Sequence, residues 1–171
     1  MLMTIDTKRV EELIRQRLES LKRTISANID SAGQRATGRT QRSMQVDTRS
    51  EGAVVVGKLT GRAFFGALET GSKPWQNKYY RQTKNGKQLS APRFFVDIIR
   101  EWVAAKGLSL NPWAVATKIM AEGSKLYRDG GRTDIYSEAI ADAITDIQVA
   151  IASELGNGMA LDIVQTLERK E

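Results

Sequence analysis

The sequence predicts an α+β fold with a long N-terminal helix, a small antiparallel sheet with a protruding β-hairpin loop, and C-terminal helices packed on the sheet. Three observations support this fold class. Apolar residues recur at helical spacing between residues 7 and 31, β-branched residues cluster between 43 and 59, and helical spacing returns after residue 93. The 171 residues suffice for one domain with a hydrophobic core of its own.

The first predicted element is a helix from Thr7 to about Ser31. Thr7 is the expected N-cap and Gly33 the expected stop signal. The apolar residues of this helix recur at intervals of 4, 4, 3, 4 and 4 and so form a narrow stripe: Val10, Ile14, Leu18, Leu21, Ile25 and Ile29. Such a stripe packs on a sheet or on another helix, and we favour packing within the domain.

Two strands are expected next, Ser43–Thr48 and Ala53–Leu59, joined by the turn-like segment RSEG. Apolar and polar residues alternate in the first, as in a half-buried strand, and three consecutive valines favour the second. Together they predict a hairpin. The segment GRAFFGALETG then predicts a short helical turn that ends at Gly71.

A long polar and basic segment lies between the apolar pairs Phe64-Phe65 and Phe94-Phe95. Loops of this length inside a compact domain are unusual, and many of them are functional. The tetrapeptide KNGK at 84–87 is typical of a type I′ turn. We therefore predict a hairpin arm in which Lys78–Thr83 pairs with Lys87–Ala91, and an arm without a core of its own needs a partner to pack against.

Three helices are expected after this loop. The first ends at Gly107 and places on one face Phe95, Ile98, Ile99 and Trp102. The second begins at Asn111-Pro112 and continues to the RDGG segment. The third begins near Asp134 and is interrupted by GNG at 156–158. The segment MALDIVQTLERK is then either a final strand of the sheet or a resumed helix, and its β-branched residues favour the strand.

We divide the chain into a core, residues 1–107 with a basic loop at 71–91, and a helical extension, residues 108–171, expected to belong to the same domain. Charge is uneven: residues 1–100 hold 19 Lys or Arg and 9 Asp or Glu, hence +10, and residues 101–171 hold 7 and 11, hence −4. Such asymmetry indicates either an acidic partner or a head-to-tail contact between unlike faces of identical copies.

Composition argues against catalysis. The chain has no His and no Cys, so the commonest general base and the usual soft metal ligands are missing. We expect no enzyme, cofactor or metal site. A magnesium hypothesis on Asp129, Asp134, Glu138 and Asp142 is weaker than the interpretation of these acids as a solvated helix face. The start MLMTIDTKRVEELI lacks a signal-peptide core, no apolar run approaches a membrane span, and we expect no membrane association.

The basic loop is the remaining functional signal. Cations interleaved with aromatic rings suit a protein interface, and they equally suit single-stranded nucleic acid bound by the basic stretch 31–93. The candidate interface residues are Arg39, Arg42, Lys73, Trp75, Lys78, Tyr79, Tyr80, Arg81, Lys84 and Lys87.

Two motifs flank the predicted hairpin. ATGRTQRSMQV at 36–46 is similar to a pattern T-G-x-L-x-x-S-I, with Thr40 and Met44 in place of the usual aliphatic residues. FFGALETGS at 64–72 is similar to an apolar-plus-E-x-G-T pattern, through Glu69, Gly71 and Ser72.

A third motif, SAPRFFVDII at 90–99, is similar to A-x-P-F opening a helix, although Arg93 separates Pro92 from Phe94. In this order, after a long N-terminal helix, the motifs resemble those of the tail-completion and head–tail joining proteins of tailed bacteriophages, a family of neck and minor tail components. The resemblance covers about residues 7–105. The helical half beyond Gly107 is longer than the usual ending of that family.

The resemblance implies a non-enzymatic virion protein, assembled in the host cytoplasm into a homo-oligomeric ring of six or twelve copies. It implies contacts with other neck, portal or tail proteins, and it leaves open whether basic residues touch nearby DNA without sequence specificity. In a head-to-tail ring, one patch meets a different patch on the next copy. The basic and acidic halves would then face one another, with the loop aromatics as anchors.

Overall fold

A computed structural model of the chain describes residues 6–52, 54–62 and 65–168, and from 157 onward only the backbone. The elements, in chain order, are α1 (Thr7–Ser31), α2 (Arg39–Arg42), β1 (Gln45–Glu51), β2 (Val54–Thr60), α3 (Ala67–Thr70), β3 (Tyr80–Thr83), β4 (Gly86–Leu89), α4 (Arg93–Ala105), α5 (Pro112–Glu122), α6 (Lys125–Arg128) and α7 (Ser137–Glu168). The predicted α+β class is confirmed. The strands form two separate antiparallel pairs, β1–β2 and β3–β4.

Helix α1 has the predicted bounds, and all six residues of its apolar stripe are buried. The N-cap prediction was wrong by one residue. The carboxylate of Asp6, not the Thr7 hydroxyl, accepts hydrogen bonds from the backbone N–H groups of Lys8 and Arg9. Gly33 follows the helix with a φ of 64°, as its predicted role as a stop signal requires.

The hairpin β1–β2 packs on α1. Its register places Gln45 opposite Thr60 and Thr48 opposite Gly57. At Gly57 the strand approaches the helix so closely that an added Cβ would lie 2.6 Å from a side-chain carbon of Ile14. A glycine at this position therefore permits the contact between strand and helix.

Helix α7 lies along α1 and joins the same hydrophobic core, to which it and the preceding turn contribute Ile135 and Ala139. The backbone is helical through Glu168, so the predicted interruption at 156–158 and the predicted final strand were wrong. A glycine in a helix lowers its stability by only about 1 kcal/mol relative to alanine, and extension of an existing helix requires no new nucleation step. The described packing of α7 on α1 extends to Ile151, and the backbone continues as a helix beyond it through the glycines and the β-branched residues.

A second core cluster joins α4 and α5 and includes Ala91, Val96, Ile99, Val103 and Ala116. The predicted inner face of α4 was partly wrong, because Ile98 is exposed. The second predicted helix is divided. At Gly123, φ is 85° and ψ is 170°, which ends α5, and Ser124 then caps α6 with its hydroxyl. No helix of the described chain is long and apolar enough to cross a membrane.

Candidate functional site

The basic segment contains a β-hairpin arm, which we define as residues 78–90. Strands β3 and β4 pair with Tyr80 opposite Leu89, and no other described helix or strand packs extensively on them. The arm is confirmed, but the type I′ turn was wrong. That turn requires a positive φ at both central residues. The register pairs Thr83 with Gly86, so the central residues are Lys84 and Asn85, and no described residue other than glycine has a positive φ.

Trp75 does not extend with the arm. Its ring centroid lies 5.0 Å from that of Phe95 and 6.2 Å from that of Phe94, and its backbone N–H donates to the Met120 carbonyl at 3.0 Å. Trp75, a candidate interface residue, therefore packs within its own subunit and holds the start of the basic segment against α4 and α5.

Tyr79 and Tyr80 remain exposed, at 49% and 62%. They border an open groove of about 620 Å³ at the base of the arm, which we call the arginine groove. Three arginines, one from the arm and two from α4, line it together with a third aromatic ring from α5: Arg81, Arg93, Arg100 and Trp113. Exposed aromatic rings beside arginines are typical of interface hot spots.

The sequence prediction missed Arg93, Arg100 and Trp113. A signal for two of them was present, because Arg93 and Arg100 are seven positions apart in a predicted helix and so share one face. Trp113 comes from a different helix, and only the packing of α5 on α4 brings it to the groove.

The remaining candidate cations divide into two groups. Four lysines are exposed on or near the arm, namely Lys73, Lys78, Lys84 and Lys87. The other two lie on α2 and do not line the groove: Arg39 pairs with Glu101 at 2.8 Å, and Arg42 donates to the Thr37 carbonyl at 2.9 Å. The structure therefore gathers part of the predicted set at the arm and assigns α2 to contacts within the chain.

Glu69 is a buried carboxylate, only 3% exposed. One of its oxygens accepts hydrogen bonds from three successive backbone N–H groups at the start of α7: Ile135 at 3.0 Å, Tyr136 at 2.6 Å and Ser137 at 2.8 Å. The Ser137 hydroxyl donates to the other oxygen. Glu69 thus caps α7 from a distant part of the chain, and its charge complements the positive end of the helix dipole.

The pKa of Glu69 reflects two opposed effects. Burial raises the pKa of the carboxyl, whereas the hydrogen bonds from Ser137, Tyr136 and Ile135 lower it. The hydrogen bonds prevail, so the pKa lies below its ordinary value of 4.5. The carboxylate is therefore ionised and fully engaged, which suits a structural role and leaves it no free oxygen for acid–base work.

Gly71, in the same motif, lies against α6. Its φ is 69°, and an added Cβ would lie 2.4 Å from the backbone nitrogen of Tyr127. The Ser124 hydroxyl accepts from the backbone N–H of Ser72 at 2.9 Å. The E-x-G segment therefore joins the N-terminal half of the chain to α6 and α7.

A second concave surface is an apolar groove of about 440 Å³ between α1, the end of β2 and α7. The side chains that line it are apolar except for two hydroxyls, on Thr60 and Tyr136. Without a charged group or a histidine, this groove offers no acid, base or nucleophile of ordinary strength.

The acids of the magnesium hypothesis are not gathered at one point. Asp129 pairs with Lys125, Asp134 pairs with Arg132 at 2.6 Å, and Glu138 accepts from the Thr133 hydroxyl at 2.7 Å. Among the residues that the structure describes, no group of three carboxylates is placed to hold a metal ion.

Comparisons with family models, with curated proteins and with solved structures find no match to this chain.

Proposed function

We propose that this chain is a structural subunit that assembles head-to-tail with copies of itself into a ring, at the neck or upper tail of a tailed bacteriophage. The observation that carries the proposal is the hairpin arm. It exposes Tyr79 and Tyr80, and no other described helix or strand packs extensively on it. Two-stranded hairpins are marginally stable in water, so an arm of this kind is best explained by a surface that it covers on another molecule.

The place in the virion rests on the motif resemblance alone. The site chemistry supports a binding role, since the arginine groove and the apolar groove are lined mainly by apolar, aromatic and cationic side chains, and both oxygens of the buried Glu69 carboxylate accept hydrogen bonds at the start of α7. We therefore propose a protein that acts by contact and performs no reaction.

A second candidate function is binding of single-stranded nucleic acid. The observation that favours it is the arginine groove, where rings on which bases could stack lie beside guanidinium groups that could meet phosphates. This function predicts an affinity for oligonucleotides that falls steeply with salt.

The arm tests the proposal. Replacing Tyr79 and Tyr80 with Ser removes two exposed rings and one edge-on contact, between Tyr79 and Trp75 at 6.0 Å, so we expect a folded subunit that no longer assembles. Sedimentation velocity and negative-stain microscopy would report assembly, and circular dichroism would report folding. A matched control replaces two exposed glutamines of the same arm, Gln82→Ser with Gln88→Ser, and should assemble normally. Normal assembly of the tyrosine variant would contradict the proposal.

A further inference from the structure

Most exposed carboxylates that the structure describes have a cation beside them. Examples on three different elements are Glu12 with Arg15, Glu101 with Arg39 and Glu122 with Arg128. Residues 71–96 are the opposite case, because they hold six Lys or Arg and no Asp or Glu. Of the groove arginines, Arg100 pairs with Asp97 of α4, whereas Arg81 and Arg93 are in no ion pair among the described residues. The arm, together with Arg81 and Arg93, is thus a cationic surface that the described part of the subunit does not neutralise.

Helix α7 carries the corresponding excess of acid. Glu138, Asp142 and Asp146 follow one another at intervals of four residues, so they form one stripe along the helix. All three are exposed, and no Lys or Arg of the described chain lies within ion-pair distance of them. Like charges at this spacing repel one another and destabilise the helix. We call these residues the acidic stripe.

We propose that the arginine groove of one copy receives the acidic stripe of α7 of the next copy. The inference rests on the proposed function and names the two surfaces that meet in the head-to-tail contact. A groove on the arm side and a stripe on α7 are different patches, so the contact is heterologous and can propagate around a ring.

The chemistry of the two surfaces agrees. A guanidinium group presents paired donors that match a carboxylate, and partial exclusion of water by the tyrosines strengthens the charge–charge attraction. Contact would also relieve the repulsion along the stripe and among the groove arginines. Such complementarity contributes chiefly orientation and rate of association, with the arm aromatics adding apolar burial.

Charge reversal tests the pairing. The groove variant combines Arg81→Glu with Arg93→Glu, and the stripe variant combines Asp142→Lys with Asp146→Lys. Each variant would present like charges on both of its surfaces, so neither should assemble alone. An equimolar mixture restores opposite charges at every contact and should assemble with alternating subunits. Sedimentation velocity of each sample, with circular dichroism to confirm folding, measures these outcomes.

A control variant, Arg17→Glu with Arg23→Glu on α1, changes the net charge as much as the groove variant and should assemble like the unmodified protein. Restoration in the mixture supports the pairing. Groove and stripe variants that each assemble normally would overturn it and leave the proposed ring intact. An unmodified protein that remains monomeric would overturn both.

Nucleic acid is the competing occupant of the groove. Fluorescence anisotropy with a labelled single-stranded oligonucleotide distinguishes the two. Three results together would show that the groove is a nucleic-acid site and that the proposed pairing is wrong. The unmodified protein would bind the oligonucleotide, the groove variant would not bind it, and the mixture of variants would fail to assemble. Absence of oligonucleotide binding together with restored assembly supports the contact between copies.

Discussion

The Glu69 carboxylate accepts a hydrogen bond from the backbone N–H of Ser137 at 2.8 Å, across 68 positions of sequence. This contact fixes the start of α7, the longest helix, to the short turn α3. Glu69 and Gly71 are among the residues that resemble the phage family, and in this structure both have roles in holding the two halves of the chain together.

Removing the Glu69 carboxylate should destabilise the fold. In Glu69→Ala, three backbone N–H groups and the Ser137 hydroxyl lose their acceptor, and we expect the free energy of unfolding to fall by about 3 kcal/mol. Glu69→Gln keeps one carbonyl oxygen and should cost less, about 1–2 kcal/mol. Urea denaturation measures both. Asp142→Asn on the exposed face of α7 is the control, and an equally large effect there would contradict the assignment.

The same carboxylate predicts a dependence of stability on pH. The pKa of Glu69 is lowered in the folded protein, so its contribution is complete above the ordinary value of 4.5 and is lost as pH falls through the lower, folded pKa. Unfolding measured from pH 6 to pH 3 should therefore show a smaller acid loss in Glu69→Gln than in the unmodified protein. Parallel profiles would exclude this contribution.

Gly71 should tolerate no side chain. Gly71→Ala combines a positive φ with an approach of 2.4 Å to the backbone nitrogen of Tyr127, which cannot move independently of α6. Gly33 is a matched control, because its φ is 64° but no atom lies within 4 Å of an added Cβ. We expect Gly33→Ala to cost about 1 kcal/mol, the penalty of backbone conformation alone, and Gly71→Ala to cost considerably more in thermal or urea unfolding.

Substitution of Trp75 should lower stability, whereas substitution of the arm tyrosines should impair assembly alone. Trp75→Ser removes an indole ring that packs on Phe94 and Phe95, and should lower the free energy of unfolding by about 3 kcal/mol. Replacing Tyr79 and Tyr80 should leave the unfolding midpoint almost unchanged, because both are exposed. A stable Trp75→Ser subunit that fails only to assemble would restore Trp75 to the interface.

Several helices and strands were predictable because the residues that specify them are close together in the chain. The apolar period of α1, the hairpin β1–β2, the cap at Asn111 and the arm β3–β4 follow from neighbouring residues, because propensity, capping and turn formation act over a few positions. The fold class was predictable for the same reason.

The contacts between these elements became known from the tertiary structure. It placed Trp75 inside the subunit, added Arg93, Arg100 and Trp113 to the groove, and continued α7 as a helix where local propensity favoured a strand. It also gave Glu69 its partners. The positions of Trp75, of the groove residues and of the Glu69 partners depend on packing or hydrogen bonds between residues far apart in the chain, and such contacts leave no periodic trace in a single sequence.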